Sequence, residues 1–207
     1  MQVKVLGKID YQEAYNLQMQ YHQLRVDEEI DDTLLIMEHF PGIFTVGRKN
    51  RESKLPEFIG SIPVIKADRG GSITYHGPGQ IMGYLIASTK KSPFNGPKEI
   101  FHSLSQGLIS TLKDFDMDSV LLEDPRGLWT LPSPSFKIAS FGVGIRKDVS
   151  FHGFCLNYDV DLSIFDLISP CDLSAKVMSN MKSCFQKSGL ELPSLDSVYD
   201  RLVYHFS

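Results

Sequence analysis

The chain has 207 residues, 42% of them apolar and 22% charged, enough to bury a substantial core and read as one catalytic-sized domain over 1–207. Its 21 Lys and Arg against 25 Asp and Glu leave a net charge of −4, which gives no global reason to expect nucleic acid or an anionic membrane as a partner. Three cysteines with no CxxC spacing argue against a disulfide framework or a zinc cluster, and no apolar run reaches the ~18 residues of a membrane span. The start, Met1 to Gly7, lacks the long apolar core of a signal peptide, so a cytoplasmic protein with reduced thiols and no metal is expected.

In chain order, Asp10 with Glu13 three positions on predicts a capped helix running to about Arg25. Strand patterns follow at Thr33–Glu38, Ile43–Val46, Ile62–Lys66 and Ile81–Ala87. Pro97 stands where a first helical residue would. Beyond it Ile100, Leu104, Leu108, Leu112 and Phe115 recur at helical spacing and mark a buried face. Further strands are predicted at Ser119–Leu122, Leu128–Thr130, Lys137–Ile145 and Val149–Tyr158, with short helices at Ser163–Ile168, Ala175–Lys187 and Leu195–His205. Strands in the middle and helices at both ends predict an α+β fold, a mixed β-sheet with flanking helices.

The densest signal is Arg69-Gly70-Gly71-Ser72-Ile73-Thr74-Tyr75-His76-Gly77-Pro78-Gly79-Gln80. Glycines let backbone approach a ligand, and the interleaved side chains supply charge and hydrogen bonds, although a plain Gly-rich hairpin would read much the same. Lys137 opens an apolar strand, an unusual place for a lysine, yet a strand-edge lysine reaching to water is the commoner case. Any one cysteine is more often a small hydrophobe than a nucleophile.

Five segments together resemble the lipoyl(octanoyl) transferases. Arg69–Gln80 resembles their R-G-G-x-x-T-Y-H-G-P-G-Q, Lys137-Ile138-Ala139 through Gly142 their K-I-A-x-x-G, and His152-Gly153 through Asn157 their H-G-x-x-L-N. Glu38-His39 through Thr45, Gly47 and Arg48 resembles E-H-x-x-x-x-T-x-G-R with one residue more between His39 and Thr45, and Pro170-Cys171 their P-C-G. Gly127-Leu128-Trp129 is similar to a shorter G-V-W segment. The matches cover about residues 33–175 in the family's order.

The resemblance implies the catalytic-domain fold shared with lipoate- and biotin-protein ligases. It implies transfer of an octanoyl or lipoyl group from acyl carrier protein to a lysine of lipoyl domains, carried by 2-oxoacid dehydrogenase E2 subunits or the glycine cleavage H protein. No cofactor is implied beyond the phosphopantetheine that carries the substrate. By motif position, Cys171 is the nucleophile and Lys137 its acid/base partner. Arg69, Gly70, Gly71, Ser72, Ile73, Thr74, Tyr75 and His76 would line the acyl channel, completed by Ser140, Phe141, Gly142, Gly153, Phe154 and Cys155.

The resemblance also implies that the basic clusters at Arg48-Lys49-Asn50-Arg51, Lys90-Lys91 and Arg146-Lys147 include a docking surface for an acidic carrier protein; read singly, each is solvated surface. One departure stands out: the glycine that follows the cysteine in the family is Asp172 here. An ATP-dependent lipoate-protein ligase, an octanoyl amidotransferase and a catalytically impaired acyl- or lipoyl-domain-binding relative remain alternatives on the same fold.

Overall fold

The computed structural model describes residues 1–50, 52, 54–91, 93–132, 135–168 and 174–207. Its centre is a seven-stranded mixed sheet in the order β1-β2-β7-β11-β10-β9-β8. These strands are β1 (Gln2–Ile9), β2 (Thr33–His39), β7 (Gln80–Ile86), β8 (Ser119–Glu123), β9 (Arg126–Thr130), β10 (Lys137–Arg146) and β11 (Val149–Asn157). A smaller sheet orders β4 (Phe58–Ile59), β5 (Ile62–Lys66), β3 (Ile43–Val46) and β6 (Ile73–His76) as β4-β5-β3-β6. The α+β architecture is the one expected.

The central strands β2, β7 and β11 are buried along their whole length, as strands covered on both faces must be. One face packs on α2 (Pro97–Lys113) and α4 (Leu195–Phe206), which bury Leu104, Leu108, Val198 and Leu202 against Leu34, Leu85 and Phe154. The other face holds Leu35, Met37, Met82, Tyr84 and Cys155 and meets α1 (Tyr11–Val26) through Ala14. A short α3 (Met181–Lys187), capped by Asn180 Oδ1, adds Met181 and Phe185 to the first core.

Two close approaches tighten the centre of the sheet. A Cβ on Gly83 would overlap the Phe154 ring, and one on Gly153 would overlap the Gly83 carbonyl. Gly83→Ala is therefore expected to destabilise the protein by about 1–3 kcal/mol through overpacking, seen as a fall of several degrees in Tm; an unchanged Tm would contradict this packing.

Three local predictions differ from the structure. Gln2–Ile9 is an edge strand parallel to β2, with an irregularity between Val5 and Lys8. Its alternation of exposed and half-buried residues, two of them lysines, hid it. Within the Gly-rich stretch, Ile73–His76 is a strand paired antiparallel with β3 rather than hairpin loop. The single helix expected over Ala175–Lys187 is instead a 3-10 turn at Ala175–Val177, a bridge from Met178 to Lys137, and then α3.

Candidate active site

The Gly-rich loop is fixed from both sides. Arg69, 7% exposed, donates from Nε and Nη2 to Thr45 Oγ1 (3.1 and 2.7 Å), from Nη2 to the carbonyls of Thr45 (2.8 Å) and Ser72 (2.9 Å), and from Nη1 to its neighbour Gly70 O (2.8 Å). These bonds make Arg69 a brace that shapes the loop against β3. The Gly47 and Lys49 amides donate to Ser72 O and Gly71 O, and the Gly70 amide donates to Val143 O on β10 (3.2 Å).

Gly71 has φ +83°, a left-handed conformation that disfavours any side chain. Gly142 lies directly beneath the loop, where a Cβ would come within 3.1 Å of Arg69 Cδ. The glycines of the two motifs thus let the loop lie on β10.

Between this loop and the large sheet lies a cavity. β6 contributes Thr74 and His76, β7 contributes Met82 and Tyr84, and Tyr11 from the first turn of α1 forms part of the wall. Ser140, Phe141, Gly142, Gly153, Phe154 and Cys155 also line it, with Arg69 and Gly71. The remaining predicted channel residues lie elsewhere. Gly70 and Ser72 line a groove next to the cavity. Ile73 and Tyr75 alternate to the opposite side of β6, where Tyr75 packs on Phe44 (5.5 Å between centroids) and Phe165 (6.4 Å).

The inner wall is a buried histidine–tyrosine cluster. His39 Nδ1 faces the Ile9 carbonyl (3.4 Å), an acceptor, so that nitrogen carries the proton and Nε2 accepts from Tyr84 Oη (2.7 Å). His76 lies 6.3 Å from His39, and His152 packs edge-on to Tyr84 at 5.4 Å. His152 adopts φ +57° inside β11, a conformation a non-glycine residue holds only where its surroundings impose it. Its amide donates to Gln18 Oε1 of α1 (2.6 Å).

Burial depresses all three imidazoles: His39 to about 4, His152 to about 3, with the Arg69 charge assisting, and His76 well below its ordinary value. The same burial pushes Tyr11 up to about 12. The folded protein therefore keeps these histidines neutral where the unfolded chain takes up protons. Stability should fall as pH drops below about 6.5, by up to about 1.4 kcal/mol per pH unit for each histidine, until the folded-state values are reached. Thermal melts between pH 7 and pH 5 should show a steadily falling Tm, with a shallower slope for His39→Asn. A flat profile in the native protein would contradict neutral burial.

Lys137 opens β10 and is 1% exposed. Its Nζ donates to Arg126 O (2.7 Å), and its own carbonyl accepts from the Ser179 amide (3.0 Å). The β9–β10 register shifts between Lys137 and Ala139. At Gly127 a Cβ would overlap Lys137 Cε, so the side chain runs over a glycine that leaves room for it. Cys171 and Asp172 fall outside the described residues. Met178 pairs with Lys137.

Cys155 is buried on β11 against the α1 face, and Cys184 sits on α3 with its Sγ 3.5 Å from Ser179 Oγ. Among the described residues no group of His, Cys, Asp and Glu is arranged to hold a metal ion, and no helix is long and apolar enough to cross a membrane.

The cavity-lining residues that sequence reasoning missed are Tyr11, Met82 and Tyr84. Alternation along Ile81–Ala87 put Met82 and Tyr84 on one face, which was a usable signal; Tyr11 carried none beyond following a cap.

Comparisons with known proteins agree with this architecture. The family described as Lipoyl protein ligase A/B catalytic domain matches residues 10–207. An octanoyltransferase of Koribacter versatilis is 37% identical over 91% of this chain and 77% of its own length. One from Vibrio atlanticus is 36% identical over 91% and 83%. Among solved structures, that of a bi-partite lipoate protein ligase and its E2 lipoyl domain from Thermoplasma acidophilum aligns over 100% of this chain and 82% of the other, with a TM-score of 0.70 at 15% identity. A biotin protein ligase from Leishmania major aligns over 99% and 73%, with a TM-score of 0.57 at 9% identity. These two structures speak for the fold, and the sequence relatives for the activity. With more than a third of positions identical over most of both chains, this chain belongs to the octanoyltransferases, acyltransferases within the lipoyl protein ligase A/B catalytic-domain family.

Proposed function

We propose that the chain transfers an octanoyl group from acyl carrier protein to a lysine of a lipoyl domain, on an E2 subunit or H protein, through a thioester on Cys171 and without ATP or a resident cofactor. The Cys171 thiolate attacks the carbonyl carbon of the octanoyl thioester. The new C–S bond forms as the pantetheine C–S bond breaks, and the departing sulfur takes a proton from the Lys137 ammonium. The acceptor lysine amine then attacks the octanoyl-Cys171 carbonyl and gives its proton to the Lys137 amine as the Cys171 thiolate leaves. Thioester-to-amide transfer is downhill, so no activation by nucleotide is needed.

The observation that carries this reading is Lys137. An ammonium buried to 1% exposure, whose hydrogen bond goes to the neutral carbonyl of Arg126, gains strongly from an anion brought beside it. A cysteine thiolate is such an anion. For the oxyanion of each tetrahedral intermediate, the Gly70 amide is committed to Val143 O and Ser140–Gly142 is paired with β11, which makes the Gly71 amide the candidate donor.

The test is transfer itself. Purified protein, octanoyl-acyl carrier protein and an isolated lipoyl domain, mixed without nucleotide, should yield octanoylated domain. Product that forms only from free octanoate and ATP would replace this reading with a ligase.

A further inference from the structure

Beside the cavity runs a groove that shares Gly71, Phe141 and Gly142 with it, so the two adjoin. Its walls carry Arg48, Lys49 and Arg126 against Glu123 and Asp124, a local cationic excess on a chain whose net charge is −4. Arg126 is held by its surroundings: its guanidinium stacks over Phe101 at 5.0 Å, and the Phe101 ring packs 4.9 Å from Phe141, which belongs to both walls.

Of the carboxylates these arginines touch, Glu123 is exposed and Asp68 half-buried. Arg126 meets Glu123 at 3.2 Å with 59% and 71% of the two side chains exposed, and Arg48 meets Asp68 at 3.4 Å with 46% and 27% exposed. Such pairs are worth at most about 1 kcal/mol, so an anion entering the groove competes for both guanidiniums on good terms. Guanidinium binds phosphate through two parallel charge-assisted hydrogen bonds, a geometry that lysine does not reproduce.

We infer that this groove is a phosphate subsite: Arg126 and Arg48 take the phosphodiester of the carrier's phosphopantetheine arm while the thioester end enters the cavity. The inference rests on the carrier-thioester reading above. Arg126 then serves the site twice over, its side chain at the phosphate and its carbonyl at the ammonium of Lys137.

The experiment compares two small donors, octanoyl-phosphopantetheine and octanoyl-pantetheine, which differ only in the phosphate. It measures the rate of octanoyl adduct formation on the full chain, at low and at physiological ionic strength. The native protein should acylate about tenfold to hundredfold faster with the phosphorylated donor, the range of one hydrogen bond to a charged group. That preference should shrink with salt, and in Arg126→Gln and Arg48→Gln the ratio should fall toward one. The ratio is internal to each protein, so a variant that folds less well still reports.

A ratio near one in the native protein, or an unchanged ratio in both variants, overturns the subsite. Adduct from neither donor removes the reading on which it rests. In a third arm, free octanoate and ATP replace the thioesters in the presence of a lipoyl domain; octanoylated domain from that arm alone would assign the cationic groove to a nucleotide instead.

Discussion

Replacing Lys137 with methionine is expected to slow octanoyl transfer by about 10²- to 10⁴-fold, the usual range for removing a positioned acid/base group. Methionine keeps most of the buried stem, which packs over Gly127 and beneath the β9–β10 irregularity. The change leaves the Arg126 carbonyl without its 2.7 Å donor, for a stability cost of about 1–3 kcal/mol. Rate and stability can therefore be separated. A structural lysine predicts a lower Tm and near-native turnover per folded molecule. An acid/base lysine predicts collapse of turnover at temperatures where the variant is fully folded. Single-turnover transfer measured beside a melting curve decides between them.

Gly127→Ala should produce a related defect from the neighbouring strand. The added Cβ would overlap Lys137 Cε and would lie 2.9 Å from the Ala139 carbonyl, so the side chain cannot yield without moving backbone as well. Displacement of a reacting group by about 1 Å can cost about 10²-fold in rate, and overpacking adds about 1–3 kcal/mol of destabilisation. Because the loss acts through the lysine, combining Gly127→Ala with Lys137→Met should cost little more than Lys137→Met alone. Full additivity in that double-mutant cycle, or native turnover in Gly127→Ala, would show that the glycine does not position the ammonium.

Where burial follows from a periodic apolar pattern, the sequence was readable. The α2 stripe from Ile100 to Leu112 and the strands around Leu35, Tyr84 and Phe154 are buried as their spacing predicts. The wall segments at Arg69–His76, Ser140–Gly142 and Gly153–Cys155 were legible through family likeness, and the structure brings most of them to one cavity. Strand alternation then divides a stretch that sequence treated as continuous, sending Thr74 and His76 inward and Tyr75 to a separate cluster with Phe44 and Phe165.

The inner face of α1 was illegible for a different reason. It buries Gln18, His22 and Arg25 in a polar stripe, held by Gln18 Oε1 accepting from the His152 amide, by His22 Nε2 against Arg146 O, and by Arg25 on Asp32 at 2.7 Å. Hydrophobic periodicity cannot register a helix held by polar partners from distant strands. The same holds for Tyr11, His39 and Tyr84, which converge from α1, β2 and β7 only in three dimensions.

The central claim is the acyl-thioester on Cys171, and intact mass reads it directly. The protein is incubated with octanoyl-acyl carrier protein in the absence of ATP and weighed beside Cys171→Ser treated identically. The account predicts an octanoyl adduct on the native chain that hydroxylamine removes and that Cys171→Ser does not acquire. Native, folded protein that remains unmodified would contradict it, as would an adduct of the same lability on Cys171→Ser.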